Sequence, residues 1–426
     1  MADFFRSDSL AARSLYAVML ASALFVLARG IWPDPDYYPV DFKYFWLSGA
    51  LWLEGVSPYG PELETLGAEQ FPGVRINPFF YPPNWRAVSS LAALTGPQAA
   101  AVIWATLSAC ALLAASWQLA LLSSASQQSL SIRRAFVLIA FFLIVIAHSG
   151  AVAITIGQPA PMLLCAVTTL LISMRYKNTQ VAAVALTVLF LKPQLSIPLA
   201  ITAFLFLPWM RRSVVIAGGA TGALAFFGLG WSAPADVLAQ FLSNIRQYGH
   251  YPENWPIHMS GPDLFLALAN AQALSPFFWL VVSVGCAIGL ASLAARASID
   301  FSEPDNELIL MLAALMITLF MMPTHNTDIM LAAPAILLLG QLPAYARLAL
   351  IVGFALIMRS LSLSVMSDGF IFAEKTVWVA LYDTMGLLCL CIAALISFQR
   401  ILHAKNMAGA ADTAPTLESD LADCRS

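Results

Sequence analysis

Six side chains in this 426-residue sequence, drawn from different loops between apolar runs, are of types that can move a proton, receive an anion or hydrogen-bond a ligand: Asp41, Tyr81, Gln158, Lys192, His258 and His325. Asp41 precedes an aromatic-rich stretch, residues 42–53, that ends at Glu54-Gly55 and reads as a short helix at a membrane–water boundary. The free amides and the dipole at such an N-terminus favour an ionised carboxylate. That carboxylate can act as a general base or merely cap the helix, and the spacing leaves both open. In Lys192-Pro193-Gln194 the lysine either faces an aqueous cavity with a partner anion or snorkels to the interface. His325, in Pro323-Thr324-His325-Asn326-Thr327-Asp328, can bind a phosphate, shuttle a proton or serve as a structural residue. The prolines of Asn77-Pro78-Phe79-Phe80-Tyr81-Pro82-Pro83-Asn84-Trp85-Arg86 fix an extended path. They either hold Tyr81 and Arg86 over a site or make a stiff connector with aromatic anchors. Gln158, between Gly157 and Pro159, can hydrogen-bond a polar ligand or cap a turn. His148 reads as structural. The clustered His, Asp or Cys ligands of a metal site are not seen, so no metal ligand is expected.

The elements that must position these groups follow from composition. At 60% apolar and 11% charged, with a mean hydropathy of +0.78, the chain is far from the soluble range, where about a quarter of residues are charged. Apolar runs lie near 13–32, 88–122, 134–149, 159–174, 179–192, 194–210, 213–230, 275–295, 307–322, 327–341, 344–360 and 376–398. At roughly 20 residues per crossing, this predicts an all-α integral membrane protein, a polytopic bundle of about 11–13 transmembrane helices with extracytoplasmic interfacial helices. The first run, behind Arg6 and Arg13, lacks a small-x-small cleavage site and reads as a retained helix. A net charge of −3 and a pI near 5.9 supply no field for nucleic acid. Of the six cysteines, five sit inside apolar runs and read as packing residues.

Charge sets the sidedness. With the N-terminus inside, 13 of the 21 basic residues fall in short loops on one side, as cytoplasmic loops require. The two long segments, 33–87 and 231–274, are then extracytoplasmic, and all six groups named above share that face. Residues 1–403 form the transmembrane domain, and 404–426 read as a disordered cytoplasmic tail. No internal repeat is visible, which weighs against a transporter of duplicated halves. A lipid or sugar flippase without covalent chemistry is nevertheless the alternative from another class.

Asp41 with its aromatic helix, then Gly55-x-x-Pro58-Tyr59, Phe80-Tyr81-Pro82-Pro83, Gly157-Gln158, Leu191-Lys192-Pro193 and the turn with His325 and Asp328 occur in an order that resembles glycosyltransferase family 87. The resemblance spans about residues 13–345 and departs from the family pattern at Ala160 and at Asn84-Trp85-Arg86. It implies a GT-C fold and a polyprenyl-phosphate-dependent mannosyltransferase in a bacterial cytoplasmic (inner) membrane. The resemblance makes Asp41 the base that deprotonates an acceptor hydroxyl, with inversion at the sugar. Lys192 and His325 become candidates for the donor phosphate, with Arg75 and Arg86 in reserve and Tyr81, Gln158 and His258 as substrate contacts. The implied partners are a polyprenyl-phosphate sugar, a glycolipid or glycan acceptor and membrane lipid. No cofactor is expected, and the reaction should be independent of metal.

Overall fold

The computed structural model describes residues 10–31, 41–123, 130–230, 234–251, 254–256, 259–272, 274–297, 299–301, 303–358 and 375–412. Among them every element is helical, and the one β contact is an isolated antiparallel bridge between Ser260 and Thr324. In chain order the helices are α1 (Leu10–Ile31), α2 (Phe42–Leu53), α3 (Glu62–Gln70), α4 (Arg86–Ala92), α5 (Pro97–Leu122), α6 (Leu130–Ile146), α7 (His148–Ile156), α8 (Ala160–Arg175) and α9 (Thr179–Leu189). They continue as α10 (Pro193–Phe206), α11 (Arg211–Leu229), α12 (Pro234–Gln247), α13 (Pro262–Leu268), α14 (Pro276–Arg296), α15 (Pro304–Met321), α16 (Ala344–Ile357) and α17 (Lys375–Asp412).

The chain is a polytopic helical membrane bundle. Four segments are long and apolar enough to cross a bilayer unaided: Pro97–Leu122, Pro208–Leu229, Pro276–Arg296 and Val379–His403. Other apolar runs form shorter helices, and Asn326–Gly340 is wound as a 15-residue 3-10 helix. At about 2.0 Å per residue, that tighter winding stretches 15 residues to roughly 30 Å, the thickness of a bilayer core. α17 continues past residue 403 to Asp412, and residues 413–426 lie outside the described ones.

Two cores hold the molecule. The larger is aliphatic and runs through the bundle. The smaller gathers Phe42, Phe45, Trp46, Trp52, Tyr59, Phe71, Phe79, Trp85 and Trp104. Phe45 stacks between Trp85 at 4.6 Å and Trp104 at 5.3 Å. Such pairs each contribute about 0.5–1.5 kcal/mol beyond area burial. The aromatic side chains of α2, expected from composition to sit against the water–lipid boundary, therefore pack mostly on rings of the following loop and of α5. Aromatic content suits an interface and a core equally, and here the Pro-rich loop folds back over the helix and covers it.

Candidate active site

Asp41 occupies the N-cap position of α2, yet its side chain makes no capping hydrogen bond. Its backbone N–H donates to Ile156 O at 2.9 Å, which ties the start of α2 to the end of α7. The carboxylate is gripped instead by Gln158, whose Nε2 donates to Asp41 Oδ2. Gln158 reaches that place because Gly157, at φ +75°, ends α7 in the left-handed region, which glycine enters without steric cost. The Gln158 amide is fixed in turn by Tyr81, whose hydroxyl donates to Oε1 at 3.3 Å. This arrangement makes Asp41 a held but uncapped carboxylate.

Burial raises the Tyr81 phenol well above its ordinary pKa, and the charges of Asp41, Asp328 and Tyr248 push it further in the same direction. Tyr81 is therefore a neutral donor and lies within electrostatic reach of all three groups. Lys43, buried beside Asp41, is lowered to about 8 by burial, with Asp41 partly restoring it.

Lys192 is buried and ion-paired with the equally buried Asp328. The break between α9 and α10 sets its position, since Pro193 starts a new helix and leaves carbonyls of the preceding turn without helical partners. Asn84 Nδ2 donates to Phe190 O at 3.0 Å and Trp85 Nε1 to Leu191 O at 2.8 Å, so the Pro-rich loop secures that break. Arg86 completes the series. Its Nη1 donates to Phe227 O at 2.8 Å and its Nη2 to Trp52 O at 3.3 Å, with the guanidinium over the Phe227 ring. Asn84, Trp85 and Arg86 thus fasten the loop to three different elements, and both Arg86 hydrogen bonds go to main-chain carbonyls.

His325 Nε2 lies 2.8 Å from the Tyr248 hydroxyl. Its backbone is held by the bridge in which Ser260 N donates to Thr324 O at 2.8 Å and Thr324 N to Ser260 O at 3.0 Å. Gly261, at φ +128°, turns the chain there, and its N–H donates to Thr384 Oγ1 on α17 at 3.0 Å. Next to His325, Asn326 Nδ2 lies 3.2 Å from His148 Nε2, in keeping with a structural His148. Arg75 is exposed and sits over the Tyr251 ring, 5.6 Å from its centroid. Tyr251 and Tyr248 both pack edge-on against Phe80, so one aromatic layer links Arg75 to the partner of His325. His258 lies outside the described residues.

Tyr81 bonds to Gln158 and through it reaches Asp41, and it feels the charges of Asp328, the partner of Lys192, and of Tyr248, the partner of His325. A carboxylate, a buried ion pair and hydrogen-bonding side chains are linked through this tyrosine. The model of glycosyltransferase family 87 matches residues 79–323. The chain belongs to glycosyltransferase family 87. It is therefore a membrane glycosyltransferase, working on a sugar donor and an acceptor. No curated protein matches the sequence. The family match takes in Tyr81, Arg86, Gln158, Lys192 and Tyr248, while Asp41 lies 38 residues before its start and His325 two residues past its end. Sequence reasoning missed Tyr248 and the pairing of Lys192 with Asp328. Nothing local marks either one, because the partners are separated by 77 and 136 residues.

Proposed function

We propose that this glycosyltransferase moves a sugar, mannose by its family resemblance, from a polyprenyl phosphate to an acceptor hydroxyl at the extracytoplasmic membrane surface. One observation carries the reading: the Asp41 carboxylate stands at a helix N-terminus without capping it and is oriented by the Gln158 amide. Asp41 takes the acceptor proton, the acceptor oxygen attacks the anomeric carbon from the face opposite the lipid, and the C–O bond to phosphate breaks with inversion. The bonding pair leaves on the lipid phosphate, so one carboxylate suffices; an alkyl glycoside would also need an acid on its leaving oxygen. Lys192 has three N–H donors, and pairing with Asp328 leaves others to meet the growing phosphate charge. His325, oriented by Tyr248, is the second phosphate contact in this scheme. A monophosphate donor needs no divalent ion for neutralisation, so the reaction should survive EDTA.

Embedding the site follows from the donor. Extracting a prenyl chain costs about 0.8 kcal/mol per CH₂, so the catalytic groups must come to the bilayer. Purified protein in detergent, offered polyprenyl-phosphate mannose or a nucleotide-activated mannose, should transfer from the lipid donor only and release polyprenyl phosphate. Transfer from the nucleotide sugar alone would refute the assignment.

A further inference from the structure

α12 divides into three faces. At about 100° per residue, Val237, Phe241 and Asn244 share one side, Leu238, Leu242 and Ile245 the next, and Asp236, Ser243 and Gln247 the side opposite that apolar stripe. The first side meets the protein. Val237 and Phe241 pack on the aromatic core, and the buried Asn244 donates from Nδ2 to Tyr59 O at 3.2 Å and to Phe79 O at 3.3 Å. The polar side is exposed. The apolar stripe is also exposed, with Leu238, Leu242 and Ile245 at 41%, 45% and 42%. Three large aliphatic side chains in line, uncovered beside a polar flank, form the pattern of a helix lying in an interface plane.

We propose that α12 rests in the membrane surface on the side of the active site, with Leu238, Leu242 and Ile245 among lipid acyl chains and Asp236, Ser243 and Gln247 in water. The stripe follows in the chain an exposed apolar end of a helix long enough to span the membrane. α11, within the spanning segment Pro208–Leu229, exposes Phe226 and Phe227 where the chain approaches α12. Arg86, bridging Phe227 O and Trp52 O, brings the exposed Leu53 onto the same rim. From Leu238 to Ile245 the stripe is only about 10 Å long at 1.5 Å per residue. That is too small for a stable protein interface, which needs about 800 Å² per partner. The consequence is mechanical: Asn244 grips the carbonyls of Tyr59 and Phe79, so the loop carrying Tyr81 is held at a set depth relative to the lipid that α12 contacts.

The test uses the full chain in vesicles of phosphatidylcholine, with an environment-sensitive fluorescent amino acid placed at Leu242 or, in a second protein, at Ser243. Acyl-chain-brominated lipid should quench the label at 242 severalfold more than the label at 243, and aqueous iodide should show the reverse order. Equal iodide quenching at the two positions would overturn the proposal. So would a label at 242 shielded from both quenchers, which would mean a protein partner. If the variant at 242 does not fold, Ile245 takes the label with the same expectation. Neither readout depends on transfer activity, so this proposal and the enzymatic one fail separately.

Discussion

Two lysine–carboxylate pairs, one buried on both sides and one with a partly exposed lysine, mark opposite ends of the bundle, because α8 runs from Gln158 towards Lys177 and α9 returns to Lys192. At the far end, Glu307 receives Lys177 and also accepts from Trp209 Nε1, which lies 3.1 and 3.2 Å from its two oxygens. Lys177 in addition sits over the Trp209 ring. That carboxylate accepts from both partners, and it ties together the 175–179 turn, the 207–211 turn and the start of α15. At the near end, Lys192 and Asp328 hold each other, and among the described residues no third side chain joins them. Two buried hydroxyls beside that pair, Thr324 Oγ1 and Thr327 Oγ1, have no hydrogen-bond partner among the described residues. Buried polar groups are normally satisfied. The far pair fastens the fold, whereas the near pair keeps hydrogen-bonding capacity where Asp41 and His325 are found.

Removing partners should expose the difference. The largest effect belongs to Lys192→Ala, which strands Asp328 without its counter-charge. Breaking such a buried pair costs about 3–5 kcal/mol, visible as a lowered unfolding midpoint in detergent, and transfer from the lipid donor should be lost as well. Replacing both partners, Lys192→Met with Asp328→Leu, should recover most of the stability while transfer stays absent. Recovered transfer in that double variant would reduce the near pair to a fastener like the far one.

Glu307→Gln should do the opposite. Losing the charge-assisted bonds to Lys177 and Trp209 should cost about 1–3 kcal/mol of stability, and the transfer rate of the folded fraction should not change. Lys177→Ala should cost less, under about 1 kcal/mol, because this side chain is 36% exposed and its charge is screened. Lost turnover in well-folded Glu307→Gln would erase the distinction between the two ends.

Smaller effects separate positioning from binding. Gln158→Ala frees the Asp41 carboxylate and should lower kcat about tenfold, equivalent to about 1.4 kcal/mol, with the donor KM unchanged. Tyr81→Phe, which only unfixes the Gln158 amide, should have a milder effect of the same kind. A raised KM with intact kcat would instead make Gln158 a substrate contact. Lys43 supplies a pH signature. It is charged below about 8 and neutral above, so its support for ionised Asp41 fades and turnover should decline as pH rises through that value. Because its folded pKa is below the ordinary lysine value, the unfolded chain binds more protons between about 8 and 10.4, and stability rises with pH in that window. Lys43→Gln should abolish both trends.

Much of the candidate site was legible because polar residues at the mouths of apolar runs stand out against a 60% apolar chain. Asp41, Tyr81, Gln158, Lys192 and His325 could be named from type and position alone. Their partners could not, since pairing Lys192 with Asp328 or His325 with Tyr248 requires the packing of distant helices. The partners of Arg86 could not be read either, since its guanidinium bonds carbonyls of two other helices, Phe227 O and Trp52 O. In the fold, helices and apolar runs were readable. The inward burial of α2 and the three-sided pattern of α12, set within a long loop, depended on what covers each helix.

The most direct test is Asp41→Asn, assayed with polyprenyl-phosphate mannose while the unfolding midpoint is followed on the same preparation. Asn keeps an oxygen for Gln158 to bond, so the midpoint should hold while turnover falls by about 10²–10⁴-fold, as expected on loss of a general base. Near-normal turnover in the folded variant would contradict the assignment of Asp41 as the base.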